Sequence, residues 1–153
     1  MLSPSRNSNG NKQALFSSLK ITRLLFLILT AALLATCGEM EKSEISELMD
    51  ARDQAISQRS ISNYSRLIYR NYHDQGRGKV DVVAQMISLF DKFDRAEMRS
   101  HDRQIQQLDN NLARCDQSYT LKVLADGEWR QIVQREQLTL SKDSDGWKIS
   151  GGL

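Results

Sequence analysis

The chain has 153 residues, with 21 Lys and Arg residues against 19 Asp and Glu residues, a formal net charge of +2 at pH 7. This length suits a single domain with a modest core. Basic and acidic residues are interspersed without a Lys/Arg block, which argues against nucleic acid as a partner.

The first segment in chain order is basic and then apolar. The first 36 residues contain four basic residues and no acidic residue, and residues 24–36, LLFLILTAALLAT, are apolar apart from two threonines. A basic stretch followed by a short apolar run is the organisation of a secretory signal. The run is shorter than the roughly 20 apolar residues that span a membrane. A buried helix is the alternative, but the abrupt change to the charged GEMEKSE favours export.

The sequence LATC, residues 34–37, resembles the lipobox of bacterial lipoproteins, whose last residue is a lipidated cysteine. Leu34, Ala35 and Cys37 match that pattern, whereas Thr36 stands where Gly, Ala or Ser is usual. The resemblance implies a lipoprotein signal peptide over residues 1–36 and membrane attachment through acyl chains on Cys37. An ordinary signal peptide with an incidental cysteine is the alternative. Gly38 is not the aspartate of inner-membrane retention, which favours the outer membrane, facing the periplasm.

Cleavage before Cys37 would leave 117 residues with 17 basic and 19 acidic side chains. Residues 37–42 are then predicted to be a lipid tether, and residues 43–153 the domain. Cys115 becomes the second cysteine of the mature chain. An intermolecular bridge or a free thiol is one interpretation of Cys115, and a small buried side chain is the favoured one.

Three helices are predicted first in the domain. From Ser43 to Ile56, the residues at helical spacing are Ile45, Leu48, Met49, Arg52, Ala55 and Ile56. A second helix is predicted from about Ser62 to Tyr72, and a third from Val80 to Phe93. The two glycines of residues 73–79 predict a loop.

Four strands are predicted after the helices. Residues 95–108 form a long, mostly polar strand, and residues 112–125 alternate well between apolar and polar side chains. The dipeptide DG at 126–127 is a hairpin signal, and a further strand follows before WKIS, the last. Helices followed by an antiparallel meander predict the α+β class, with three N-terminal helices packed on a curved sheet.

This order of elements, together with the closing LTLSKDSDGWKISGG, resembles the nuclear transport factor 2-like superfamily of cone-shaped α+β barrels. The resemblance implies a sheet that curves around the helices and leaves a cone able to accept an apolar or mixed ligand. It also implies dimerisation through the open face of the sheet in many members. Members include ketosteroid isomerases, polyketide cyclases and scytalone dehydratase, as well as non-catalytic binding domains, so the fold alone does not decide the function.

Candidate residues for the cone are polar or aromatic side chains on the predicted helices and strands. They are Tyr64, Tyr72, His101, Gln117, Tyr119 and Trp147. His101 would be the general base and Tyr119 or a helix tyrosine the donor to an oxyanion, if the protein is an enzyme. Ordinary packing of the tyrosines and an exposed or satisfied His101 are the alternatives. The pairs His73–Asp74 and His101–Asp102 lack metal-ligand spacing, so no metal and no cofactor is predicted.

Two functions remain open from the sequence. The favoured one is a non-catalytic, lipid-anchored envelope protein that binds a small apolar ligand or a partner protein, with a homodimer through the sheet as one arrangement. The alternative is a periplasmic isomerase, cyclase or dehydratase of the ketosteroid-isomerase type. A third possibility, an accessory to an envelope assembly, differs from the favoured function only in the partner that it binds.

Overall fold

The structure, a computed structural model, describes residues 39–153. The chain divides after Glu41, and Lys42–Leu153 forms one compact unit. The predicted signal peptide and Cys37 lie outside the described residues. Within residues 39–153, no helix is both long enough and apolar enough to cross a membrane.

Helix α1 covers residues 39–57 of the described chain. The helical spacing of its apolar residues predicts the buried face correctly, because Ile45, Met49 and Ile56 are all almost fully buried. Residues 39–42, which the sequence assigns to the predicted tether, are helical. Acidic side chains in the first turns of a helix interact favourably with its dipole, which fits the composition of this stretch.

Helix α2 covers Ile61–Leu67, with the Ser60 side chain accepting a hydrogen bond from the backbone N–H of Asn63. It ends five residues before the predicted end at Tyr72. Ile68 takes an extended conformation and forms an isolated bridge with Ile149. Pairing with the sheet therefore overrides the helical pattern of the local sequence.

A small hairpin replaces the loop that was predicted over residues 73–79. Strands β1, His73–Asp74, and β2, Arg77–Gly78, pair in antiparallel fashion. Gln75 and Gly76 both have positive φ, as a two-residue hairpin turn requires. Helix α3, Lys79–Lys92, follows directly and buries Val82 and Phe90.

The main sheet is an antiparallel meander of four strands in the order β3-β4-β5-β6. Their bounds are Arg95–Asp109, Leu112–Ala125, Glu128–Asp143 and Gly146–Gly151. The predicted inner face of β4 is confirmed, since Ala113, Cys115, Gln117 and Val123 are buried. Helices packed on this curved sheet give the predicted α+β fold.

A β-bulge interrupts strand β3. The pairing with β4 shifts between His101 and Gln104, and Asp102 has a φ of 53°. Ser100, before the bulge, contacts α1, and the next residue of β3 that contacts α1 is Arg103. The interval is three residues, whereas an uninterrupted strand would have an interval of two. The bulge thus turns Arg103 toward the helix and leaves His101 on the outer face.

Candidate functional site

A cavity of about 570 Å³ opens between the helices and strands β4 and β5. Helix α3 provides an apolar wall through Val82, Met86 and Leu89. The polar residues lie on the other walls and at the mouth. They are Arg52, Tyr64, Asp74, Gln75, Arg77, Gln85, Tyr119 and residues 134–137. One apolar wall facing a polar majority suits a small molecule that has both apolar and polar groups.

A buried ion pair forms the floor of the cavity. The Arg52 guanidinium donates to both oxygens of Glu136, with Nη1–Oε1 at 2.5 Å and Nη2–Oε2 at 3.0 Å. The side chains are 6% and 10% exposed. Burial lowers the pKa of Arg52, but the hydrogen bonds and the charge of Glu136 raise it by more, so the pKa of Arg52 lies above its usual value. Arg52 therefore stays charged at neutral pH.

A chain of buried hydrogen bonds supports the floor. Gln117 is fully buried and donates from Nε2 to Glu136 Oε1 at 2.7 Å. Its Oε1 accepts from Arg103 Nε at 3.0 Å. Arg103 also donates to the carbonyl of Ser46 and to Asp50, both at 2.9 Å. The chain links β5, β4, β3 and α1, so the floor is held from two sides.

Two tyrosines present hydroxyl groups to the cavity. Burial raises the pKa of Tyr64, although the charge of Arg52 opposes the shift. Burial also raises the pKa of Tyr119, whose hydroxyl donates to Gln134 Oε1 at 2.5 Å. Both phenols are therefore protonated at neutral pH and act as hydrogen-bond donors.

The other predicted site residues are dispersed. Gln117 lies beneath the floor rather than in the wall, and Trp147 packs in the core at 4% exposure. The Tyr72 hydroxyl donates to the carbonyl of Leu153 at 3.2 Å and accepts from its N–H at 2.9 Å. These contacts hold the Gly152–Leu153 backbone at the mouth of the cavity. The structure thus places Tyr64 and Tyr119 in the lining of the same cavity. Gln117, Trp147 and Tyr72 have supporting positions.

His101 lies outside the cavity. Its side chain is 44% exposed, and its Nδ1 is 2.8 Å from Asp102 Oδ2. The residue pairs with Ser118 on the outer face of the sheet. His101 therefore cannot serve Tyr119 as a base within the cone. No cluster of three or more His, Cys, Asp or Glu side chains suited to a metal occurs in residues 39–153.

Arg52 was predicted only as part of the helical stripe of α1, and its functional position was missed. The signal for Arg52 is its position within the apolar stripe of α1, between Met49 and Ala55. A charged side chain on a buried helix face needs a buried partner. That argument predicts a carboxylate opposite α1, but it does not say which strand carries it.

The carboxylates in the lining are hydrogen-bonded. Glu136 accepts three hydrogen bonds, two from Arg52 and one from Gln117, which occupy about three of its four acceptor positions. Asp74 is the other carboxylate in the described lining, and it accepts a hydrogen bond from the N–H of Gly152. Its Oδ2 atom lies 3.7 Å from Arg77 Nη2. The tyrosine hydroxyls can instead donate to an oxygen of a bound molecule.

Cys115 gives a pH-dependent prediction. It is fully buried on the inner face of β4, and burial raises its pKa from 9.0 to about 11. The unfolded chain releases the thiol proton at lower pH than the folded chain. Stability should therefore fall as the pH rises from 9 to 11, by roughly 2 kcal/mol from this group.

Urea unfolding of the wild type and Cys115→Ala at pH 8 and pH 10.5 measures this effect. We expect the wild type to lose more of its free energy of unfolding than the variant over this interval. Equal losses would show that Cys115 has the same pKa in both states. Ionisation of the buried tyrosines also lowers the free energy of unfolding, but it does so in both proteins and therefore cancels when their losses are compared.

No protein-family model matches this sequence. No curated protein matches it either. Solved structures do match, at low identity. A Novosphingobium aromaticivorans protein provisionally named a scytalone dehydratase has a TM-score of 0.67 and 11% identity, over 75% of this chain and 83% of that one. A Streptomyces avermitilis protein, provisionally named a dehydratase of the nuclear transport factor 2-like family, has a TM-score of 0.65 and 11% identity over 74% and 94%.

A third similar structure is a nuclear transport factor 2-like protein of unknown function from Shewanella oneidensis. Its TM-score is 0.60 and its identity 18%, over 72% of this chain and 95% of that one. These comparisons show that the chain has the nuclear transport factor 2-like fold. At such identities they do not transfer an activity.

Proposed function

We propose that this protein is a lipid-anchored envelope protein whose cone binds a small, partly apolar ligand through an oxygen acceptor, without catalysis. The observation that carries this proposal is the position of Tyr64 in the cavity lining beside the Arg52–Glu136 ion pair, whose carboxylate accepts three hydrogen bonds. Such a site offers a phenol donor to the ligand, and its carboxylate is held mainly by the protein's own donors.

The ligand would lie between the apolar wall of α3 and the two tyrosines. Its apolar part would contact Met86 and Leu89, and an oxygen would accept from Tyr64. Tyr119 already donates to Gln134, so it would fix the wall unless the ligand displaces that bond. A carbonyl or carboxylate is the chemistry that fits these donors.

The anchor rests on the sequence. The basic and apolar residues 1–36 precede LATC, and acyl chains on Cys37 would give stable attachment. Only Gly38 separates Cys37 from the first described helical residue. The proposal therefore places residues 1–36 in a removed signal and the domain on the periplasmic face of the outer membrane.

Substitution of Tyr64 tests the binding site. With 2-naphthoate as an apolar probe carrying two acceptor oxygens, Tyr64→Phe should weaken binding roughly tenfold, because a hydrogen bond to a charged group is lost. The measurement is a fluorescence titration at pH 7. Tyr69→Phe is the control, since it removes the same hydroxyl group from a tyrosine outside the described lining of the cavity.

Equal affinity of the wild type and Tyr64→Phe for 2-naphthoate would contradict this assignment. So would equal binding of 2-naphthylmethylamine, which has a similar ring but a cationic donor group. Because Tyr64 and Tyr119 stay protonated, the affinity for 2-naphthoate should be constant from pH 6 to pH 9.

An isomerase, cyclase or dehydratase is the second candidate, favoured by Glu136 on the cavity floor near Tyr64 and by the provisional names of two similar structures. Its base would be Glu136 instead of His101. Conversion of a β,γ-unsaturated ketone to its conjugated isomer by the wild type, and loss of that conversion in Glu136→Gln, would replace the binding assignment with this one.

A further inference from the structure

The outer face of the sheet carries two adjoining grooves of about 540 and 470 Å³, and the larger one reaches the β3 edge of the sheet at Met98 and Ser57 of α1. Glu97, Lys122 and Gln131 line both of them, and these residues form one cross-strand row through β3, β4 and β5. We call the two together the outer groove. It is separate from the cone, because its shared residues point away from the buried face.

An aromatic ring lies at one end of the outer groove. Trp129 is 46% exposed, and the Arg95 guanidinium is 5.5 Å from its ring centroid. An indole has an apolar surface and one N–H donor, so it suits a partner that presents C–H groups on one side and polar groups at its edge. A sugar ring has this character.

The rest of the outer groove carries hydrogen-bonding side chains. Glu97 and Gln131 provide acceptors, while Lys122, Arg99 and Gln131 provide donors, and Thr120 provides both. Their alternation along paired strands places polar groups at regular intervals beyond Trp129. A linear chain of hydroxyl-bearing rings is complementary to this arrangement.

The charge of the outer groove is positive. The Arg95 Nη2 atom lies 3.5 Å from Glu97 Oε1, which leaves Arg99 and Lys122 as the unbalanced charges of this face. Arg130 pairs with the buried Val123 and therefore belongs to the opposite face of the sheet. A second copy of the same face would place like charges against one another, which disfavours self-association here. Single-stranded nucleic acid needs a series of stacking aromatics, and the described groove lining holds Trp129 alone.

From these observations we propose that the outer groove binds an anionic polysaccharide, with Trp129 stacking on a sugar ring and Arg99 and Lys122 facing its carboxylates. The envelope location proposed above would supply such polymers. The cone and its ligand do not enter this inference.

Isothermal titration of the full chain with alginate oligosaccharides, which are linear polyuronates, tests the inference. We expect binding that weakens as salt is raised and that exceeds binding of neutral dextran oligosaccharides. Trp129→Ala should weaken binding about tenfold, and Lys122→Gln should weaken it and reduce its salt dependence. Val80→Ser, at an exposed site on α3, is the matched control.

Several results would overturn the inference. They are no heat of binding with alginate, equal affinity of the wild type and both groove variants, and tighter binding of oligothymidylate than of alginate. Sedimentation that shows a dimer in the wild type and a monomer in Trp129→Ala would assign the face to the expected homodimer instead. Tyr64→Phe should leave alginate binding unchanged, so failure here is distinguishable from failure of the cone site.

Discussion

Glu136→Ala is expected to lower the free energy of unfolding by about 3–5 kcal/mol, because it leaves the Arg52 guanidinium buried without its counter-charge. Arg52 is 5% exposed and has both Nη groups directed at Glu136. Gln117 would lose an acceptor as well, since its Nε2 lies 2.7 Å from the same carboxylate. Urea unfolding at pH 7, monitored by circular dichroism, measures the change.

A double variant separates the charge from the packing. Arg52→Met combined with Glu136→Leu removes both charges and keeps apolar volume at the floor, so we expect it to be more stable than Glu136→Ala alone. Glu47→Ala, which removes an exposed carboxylate from the same helix, should change stability by less than about 0.5 kcal/mol. If Glu136→Ala is as stable as the wild type, the ion pair does not form in the folded protein.

Cys37→Ser is expected to move the protein from the membrane fraction to the soluble or unprocessed pool while the domain stays folded. Two or more acyl chains give stable attachment because each buried methylene contributes about 0.8 kcal/mol, and a serine hydroxyl would not carry them. The compact unit begins at Lys42, after this residue in the chain. Cell fractionation followed by immunoblotting measures the distribution.

Cys115→Ala is the matched control for the anchor, because it removes the other cysteine from a buried position and leaves Cys37 intact. It should remain in the membrane fraction. A Cys37→Ser protein that is still processed and still sediments with the membrane would contradict the lipoprotein interpretation.

Local pattern predicts most of this fold. The apolar spacing along α1 and α3 and the alternation along β4 are properties of consecutive residues, so they can be read before the structure is known. The end of α2 could not be predicted in this way, because Ile68 leaves the helix to pair with Ile149 from the last strand. The β1–β2 hairpin was likewise not predicted, because the composition of this segment indicates a loop. The pairing of the hairpin depends on only two residues in each strand.

The candidate site was predicted less completely than the fold. The structure places Tyr64 and Tyr119 in the lining of the cavity, each on a buried face next to polar positions. It places His101 on the outer face, as alternation with the buried Ala96 and Met98 requires, and the mostly polar sequence of this strand did not reveal which face is buried. Arg52 and Glu136 are 84 residues apart, and their pairing follows from tertiary packing that no local pattern contains.

The central claim is that a lipid-anchored cone holds a small ligand, and mass spectrometry of the protein from its own membrane tests it most directly. The denatured protein should have the mass of residues 37–153 plus a diacylglyceryl group and a further acyl chain. Under native conditions the mass should increase by that of one small molecule, and this increase should be lost on denaturation. A denatured mass with Cys37 absent or unmodified, and a native mass equal to the denatured one, would contradict the claim.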